Sequence, residues 1–182
     1  WDGNNWSAFG TGSSNSFTGP LYTLKVDGND VYVGGLFAAA GGISANNIAK
    51  WDGNSWLSLG GGVAGSVTAI AVSGSDVYVG FNCCSISNGF SSSNIAKWNG
   101  SSWSALGSGV NGLVSAIAVS GVDVYVGGSL TTAGGNPVNN IAKWNGSGWS
   151  ALGSGVNGSV SAIAVSGSDI YVGGNFSIAG AV

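Results

Sequence analysis

The tryptophans fix the frame. The pattern W-[DN]-G-x-x-W occurs at Trp1/Trp6, Trp51/Trp56, Trp98/Trp103 and Trp144/Trp149, which uses all eight tryptophans of the chain. The leading rings stand 50, 47 and 46 residues apart. A fixed period of this length marks one supersecondary unit used repeatedly, and a four-stranded sheet takes about 40–50 residues. A unit of that size cannot bury its own apolar surface, so each copy must be covered by its neighbours.

The strands are legible within one period. "VSAIAVS" (114–120) alternates Ile117 and Val119 against Ala116 and Ala118, and "DVYVGG" (123–128) is β-branched and aromatic. "NNIAKW" (139–144) and "GWSALG" (148–153) follow, with turn dipeptides in "SGVD", "AGGNP", "WNGS" and "GSGVNG" between them. No segment carries a sustained 3.6-residue period, which predicts an all-β chain with helix near zero. Sheets that are apolar on both faces need cover on both sides, and radially arranged blades supply it. The expected fold is therefore one β-propeller domain over 1–182, built of four-stranded blades with a repeat of about 46 residues. The small-residue first strand suits the crowded axis and the tryptophan-bearing strands the diverging margin. A buried indole hides about 150–250 Å², so Trp51, Trp56, Trp98, Trp103, Trp144 and Trp149 are expected to lead the core, with the rings at Trp1 and Trp6 joining them.

Three complete blades are placed at 21–59, 67–106 and 114–152. Residues 160–178 supply two further strands, and 1–10 supply the end of a third strand and a fourth. These complementary halves close a ring within one chain, pair between chains into a ring or fibre, or mark an excerpt of a longer propeller. Unpaired strand edges are adhesive, so the halves are expected to find partners.

"NNIAKWNGSGWSALGSGVNGSVSAIAVSGSDIYVGGNFSIAGA" resembles the repeat of kelch-like propellers found in secreted and surface proteins of bacteria and in the fungal cortical polarity-marker group. The resemblance implies a propeller scaffold and leaves its task open. The galactose-oxidase branch of such propellers holds copper with His and Tyr. This chain has no histidine, so that activity does not carry over.

Composition narrows the function. Charged residues make up 6% and the net charge is −3, against about 25% charged in ordinary domains. The four lysines are dispersed, which argues against nucleic acid, where clustered cations must displace counterions. No apolar run reaches the roughly 18 residues of a membrane-spanning helix. A chain that opens on Trp1 without any methionine reads as a processed or excerpted piece, and its Ser/Asn/Gly-rich, weakly charged make-up suits a secreted or cell-surface location.

Candidate chemistry is thin. Asp30, Asp76, Asp123 and Asp169 precede "VYV" or "IYV" in successive units. They read either as a ring of carboxylates for cations or as structural partners in the pairs Asp30–Lys50, Asp76–Lys97 and Asp123–Lys143, and the second reading is preferred. Asp169 has no such lysine in the sequence given. Asp2, Asp52, Asn99 and Asn145 are turn residues. The adjacent Cys83 and Cys84 read as packing thiols, a vicinal disulfide or a redox pair, and no cation lies close in sequence to activate them. Sequons at Asn5, Asn99, Asn145, Asn157 and Asn175 are candidate glycan acceptors. Phe17, Tyr22, Phe81 and Phe90 break the repeat and are candidates for stacking on sugars. With no His, Glu or Arg, no catalytic set or cofactor is expected. The expectation is a non-catalytic extracellular structural or adhesive propeller that self-associates through its terminal strands. The alternatives are a glycan-binding module and a scaffold domain of a larger secreted protein.

Overall fold

A computed structural model of the chain describes residues 3–6, 17–82 and 93–180. Among these the protein is all-β, without helix. The first unit runs β1 (Leu21–Asp27), β2 (Asp30–Gly35), β3 (Ala39–Ala40), β4 (Ile43–Ser44), β5 (Ile48–Trp51) and β6 (Trp56–Ser58). The second contains β7 (Ser66–Ser73), β8 (Asp76–Asn82), β9 (Ile95–Trp98) and β10 (Trp103–Ala105). The third repeats the first as β11 (Leu113–Ser120), β12 (Asp123–Ser129), β13 (Thr132–Ala133), β14 (Asn136–Pro137), β15 (Ile141–Trp144) and β16 (Trp149–Ala151). β17 (Ser159–Ser166) and β18 (Asp169–Asn175) follow.

Three antiparallel four-stranded sheets result, ordered β1-β2-β5-β6, β7-β8-β9-β10 and β11-β12-β15-β16, while β17-β18 is a two-stranded sheet. The "AGG" turns open into small hairpins, β3-β4 and β13-β14, that the sequence shows only as turns. Residues 3–6 carry no strand; the rest of 1–10 and both cysteines lie outside the described residues.

Successive sheets lie face to face. β1 packs beside β7, β7 beside β11 and β11 beside β17, so the first strands form a continuous row. Every first strand carries a bulge at the same place, beside Tyr22, Thr68, Ser115 and Ser161. A bulge inserts one residue and resets which side chains share a face. It brings Val160 and Ile163 together against Gly127 of the preceding sheet. The contact recurs: a Cβ on Gly34, Gly80 or Gly127 would collide with Val67, Val114 or Val160 of the next sheet. Glycine is needed there because one backbone must approach another sheet's side chain.

The largest fully buried side chains are aliphatic or phenyl, among them Phe81, Ile48, Ile95, Leu130 and Ile141. This corrects two expectations. The indoles do not lead the core: Trp56 and Trp149 are buried, but Trp51, Trp98, Trp103 and Trp144 are half-buried at its margin. Trp6 is 84% exposed, in a segment not built into any sheet. Phe81, a candidate for stacking on sugars in the sequence, is sealed between the first two sheets, standing near the end of β8 where other units carry glycine.

A second recurrent device is invisible to strand patterning. Asn47, Asn94 and Asn140, just before the third strand, adopt left-handed backbone with φ of 65°, 59° and 64°. Asparagine tolerates this conformation better than most residues. Each side-chain amide donates to a carbonyl after the fourth strand: Val63 at 2.8 Å, Val110 at 3.0 Å and Val156 at 2.9 Å. Their backbone carbonyls accept from Gly35, Phe81 and Gly128. One residue type thus ties the second, third and following segments together.

Gly173 is the exception among the close-approach glycines, since among the described residues a Cβ there would meet only Ala162 Cβ, at 4.0 Å. Gly127→Ala is therefore expected to cost about 1–3 kcal/mol by overpacking. Gly173→Ala should stay within about 0.5 kcal/mol. Urea denaturation of the two variants checks this, and equal losses would contradict the assigned contact.

Candidate functional site

The turn between first and second strands delivers an aspartate to the head of every second strand. Two residues on, on the same face of the pleat, stand Tyr32, Tyr78, Tyr125 and Tyr171. Strand register sets Lys50 opposite Tyr32, Lys97 opposite Tyr78 and Lys143 opposite Tyr125. From there each ammonium reaches diagonally back to the carboxylate. Lys97 Nζ lies 3.0 Å from Asp76 Oδ2, Lys143 Nζ lies 3.1 Å from Asp123 Oδ2, and Lys50 closes on Asp30 in the same way. Half-exposed pairs of this kind contribute about 0.2–1 kcal/mol.

The tyrosine completes the group. Lys50 Nζ sits 5.6 Å from the Tyr32 ring centroid, and the Tyr125 hydroxyl donates to Asp123 Oδ2 at 3.4 Å. Its part was missed from sequence, although the alternation of "DVYV" against "AKW" contains it. The hydrogen bond to Asp30 raises the pKa of Lys50, with burial opposing. Burial raises the phenols of Tyr32 and Tyr78 above their ordinary range, Lys50 and Lys97 respectively pulling the other way.

These groups line a recurring crevice between sheets. Asp30, Tyr32, Lys50 and Ser58 face Ser75 and Trp98 of the next sheet around about 340 Å³. One unit later Asp76, Tyr78, Lys97 and Ser104 face Val122 and Trp144 around about 400 Å³. The walls offer hydroxyls, a neutralised carboxylate and two aromatic rings. That is a surface for hydrogen bonding and stacking. Among the described residues no group of three or more His, Cys, Asp or Glu side chains converges on a metal-sized site.

The tryptophan pairs rim the sheets, with centroids 5.5 Å apart in each of the three complete units. Trp103 Nε1 donates to Leu59 O at 2.8 Å and Trp149 Nε1 to Leu106 O at 2.7 Å, so these indoles fasten each sheet to the one before. Asp52, Asn99 and Asn145 close the hairpins between paired tryptophans, each Oδ1 accepting backbone N–H groups two and three residues on. Those bonds hold the exposed Asp52 carboxyl below its usual range.

The sequon asparagines differ in their settings. Asn5, Asn99, Asn145 and Asn175 are exposed. Asn157 is exposed as well, and like Asn99 and Asn145 it is engaged: its Oδ1 accepts from Ser177 N and Ile178 N, and its Nδ2 donates to Ser177 Oγ at 3.1 Å. Asn111 grips Thr131 and Thr132 in the same manner one unit earlier. Tyr22 is exposed, whereas Phe17 packs edge-on against Phe37 and Trp56 at 5.0 Å. Phe90 lies outside the described residues.

No protein-family model matches the chain, and no curated protein is significantly similar to it. Among solved structures it is similar to the crystal structure of the computationally designed Ika8 protein, with a TM-score of 0.56 and 18% identity. The match covers 84% of this chain and 42% of that one, so the chain spans less than half the length of the designed protein. At that identity the likeness concerns the fold alone.

Lys50 and the two phenols give alkaline pH a defined effect. Their folded-state pKa values are raised, so the folded protein holds these protons more tightly than the unfolded chain. The stabilisation is complete below the unfolded-state values, near pH 10, and is lost as pH rises through the folded-state ones. Melting temperatures followed from pH 8 to 11 should fall from about pH 10. The fall should be shallower in Tyr32→Phe, which removes one of these protons.

Proposed function

We propose that the chain is an arc of a kelch-like β-propeller acting as a non-catalytic structural and adhesive element outside the cell or at its surface. In this reading its two end faces each receive a further sheet of the same repeat. The observation that carries it is the recess at Gly173. Every equivalent glycine accepts a valine of the following sheet, and among the described residues nothing fills the Gly173 recess.

The opposite end presents the matching part. Leu21, Leu24 and Val26 occupy the places that Val67, Ile70 and Val72 hold one unit later, and they stand 43%, 59% and 56% exposed. Val67 and Ile70 are buried against the preceding sheet. The stripe on β1 is thus shaped to cover a sheet like β17-β18, including the Gly173 recess. Placement outside the cell rests on composition: few charges, no methionine and a Ser/Asn/Gly-rich surface. A second reading, glycan binding, is favoured by the repeated crevice of hydroxyls and rings.

Sedimentation velocity across a wide concentration range tests the assembly. The chain is expected to grow in mass with concentration, and Leu24→Asp or Gly173→Trp to remain monomeric with an unchanged β-sheet circular dichroism spectrum. A wild-type chain that stays monomeric at high concentration would overturn it. A glycan array on the monomeric variant separates the two readings, since sugar binding there supports the second.

A further inference from the structure

We infer that the outer edge of β18 is an acceptor for one extended strand of the pattern Asn-Ile-Ala-Lys-Trp, whose lysine closes on Asp169 and Tyr171. The inference rests on the reading that further repeats complete the arc. It concerns the backbone edge of the sheet rather than the stacked face.

In the three complete units the second strand is paired on both sides. β2 lies between β1 and β5, β8 between β7 and β9, and β12 between β11 and β15. Among the described residues β18 pairs with β17 alone. Exposure is higher there: Val124–Gly128 are buried throughout, whereas at the corresponding places Tyr171, Gly173 and Gly174 are exposed and Ile170 and Val172 half-buried. A strand with one open edge is a template for another extended segment, the backbone giving affinity and alternate side chains giving selectivity.

The interior copies specify the occupant residue by residue. In β12 and β15, Val124 faces Trp144, Tyr125 faces Lys143, Val126 faces Ala142 and Gly127 faces Ile141. The same register holds between β2 and β5 and between β8 and β9. Transferred to β18, an aromatic stands opposite Ile170, a lysine opposite Tyr171, an alanine opposite Val172 and an isoleucine opposite Gly173. The alanine must be small, since Ala49, Ala96 and Ala142 are all fully buried. The residue before the isoleucine must tolerate left-handed backbone, as Asn140 does while its carbonyl accepts from Gly128. Gly174 is the equivalent donor.

Charge selects the lysine. Asp30, Asp76 and Asp123 each hold an ammonium, and that ammonium arrives on the third strand. Asp169 is exposed, and among the described residues no lysine stands at the equivalent place. The incoming strand therefore brings a cation to a carboxylate already aligned with a phenol on the same face.

A fluorescein-labelled peptide of residues 139–153, NNIAKWNGSGWSALG, titrated into the 182-residue Leu24→Asp chain tests the inference by fluorescence anisotropy. Saturable binding is expected. A peptide carrying Lys143→Glu should bind about tenfold more weakly or worse, because like charges then meet at Asp169. The chain variant Asp169→Lys should lose the wild-type peptide and regain about tenfold with a peptide carrying Lys143→Asp. Absence of saturable binding, or equal binding of a scrambled peptide, overturns the inference. If the wild-type chain self-associates while the peptide fails to bind, the edge inference falls and the assembly reading stands. Peptide binding by a chain that never self-associates upholds the edge inference and overturns the assembly reading.

Discussion

The structure depends on how closely one sheet can approach the next. At Gly34, Gly80 and Gly127 a valine of the following sheet sits where a Cβ would otherwise be. That contact brings Ile48, Ile95 and Ile141 within reach of the neighbouring sheet and seals them from water. Burying such side chains stabilises by about 1.5–3 kcal/mol each relative to exposure. With only 6% charged residues, the chain has little electrostatic binding to fall back on. Dense apolar contact between copies holds the sheets together, and polar groups set its geometry.

The polar groups are placed at the ends of that contact. Left-handed asparagines fasten third strands to the segments that follow, and indole N–H groups of Trp103 and Trp149 tie sheets across the seam. Asp–Lys pairs with their tyrosines close the opposite rim. None of these is strong alone. Repeated at every seam, they fix spacing and angle, which is what an array of identical units needs.

Much of this is legible in the sequence because repetition reveals it. Strand limits follow from alternation and turn dipeptides, and the Asp–Lys pairing follows from antiparallel order. What was not legible concerns distance between sheets. "YVGG" reads as part of a strand, and only the apposed valine shows that its first glycine is a hollow for the next sheet. Asn-Asn reads as the start of a strand, since sequence does not display a positive φ. Phe81 looked exceptional and therefore exposed, yet a departure from the repeat can equally fill a void. The tryptophans drew attention by size, and size alone did not show that Trp51, Trp98, Trp103 and Trp144 stay half-buried.

The bulge in each first strand has a consequence for how such a chain changes length. It shifts the face of everything beyond it, so that Val160 and Ile163 point the same way. Losing or gaining a single residue inside that strand would turn half its aliphatic side chains toward the wrong neighbour. Loops absorb such slips, and spacings of 50, 47 and 46 residues between leading tryptophans record them. The array can therefore be extended or shortened only by whole modules, copied intact from one bulge to the next.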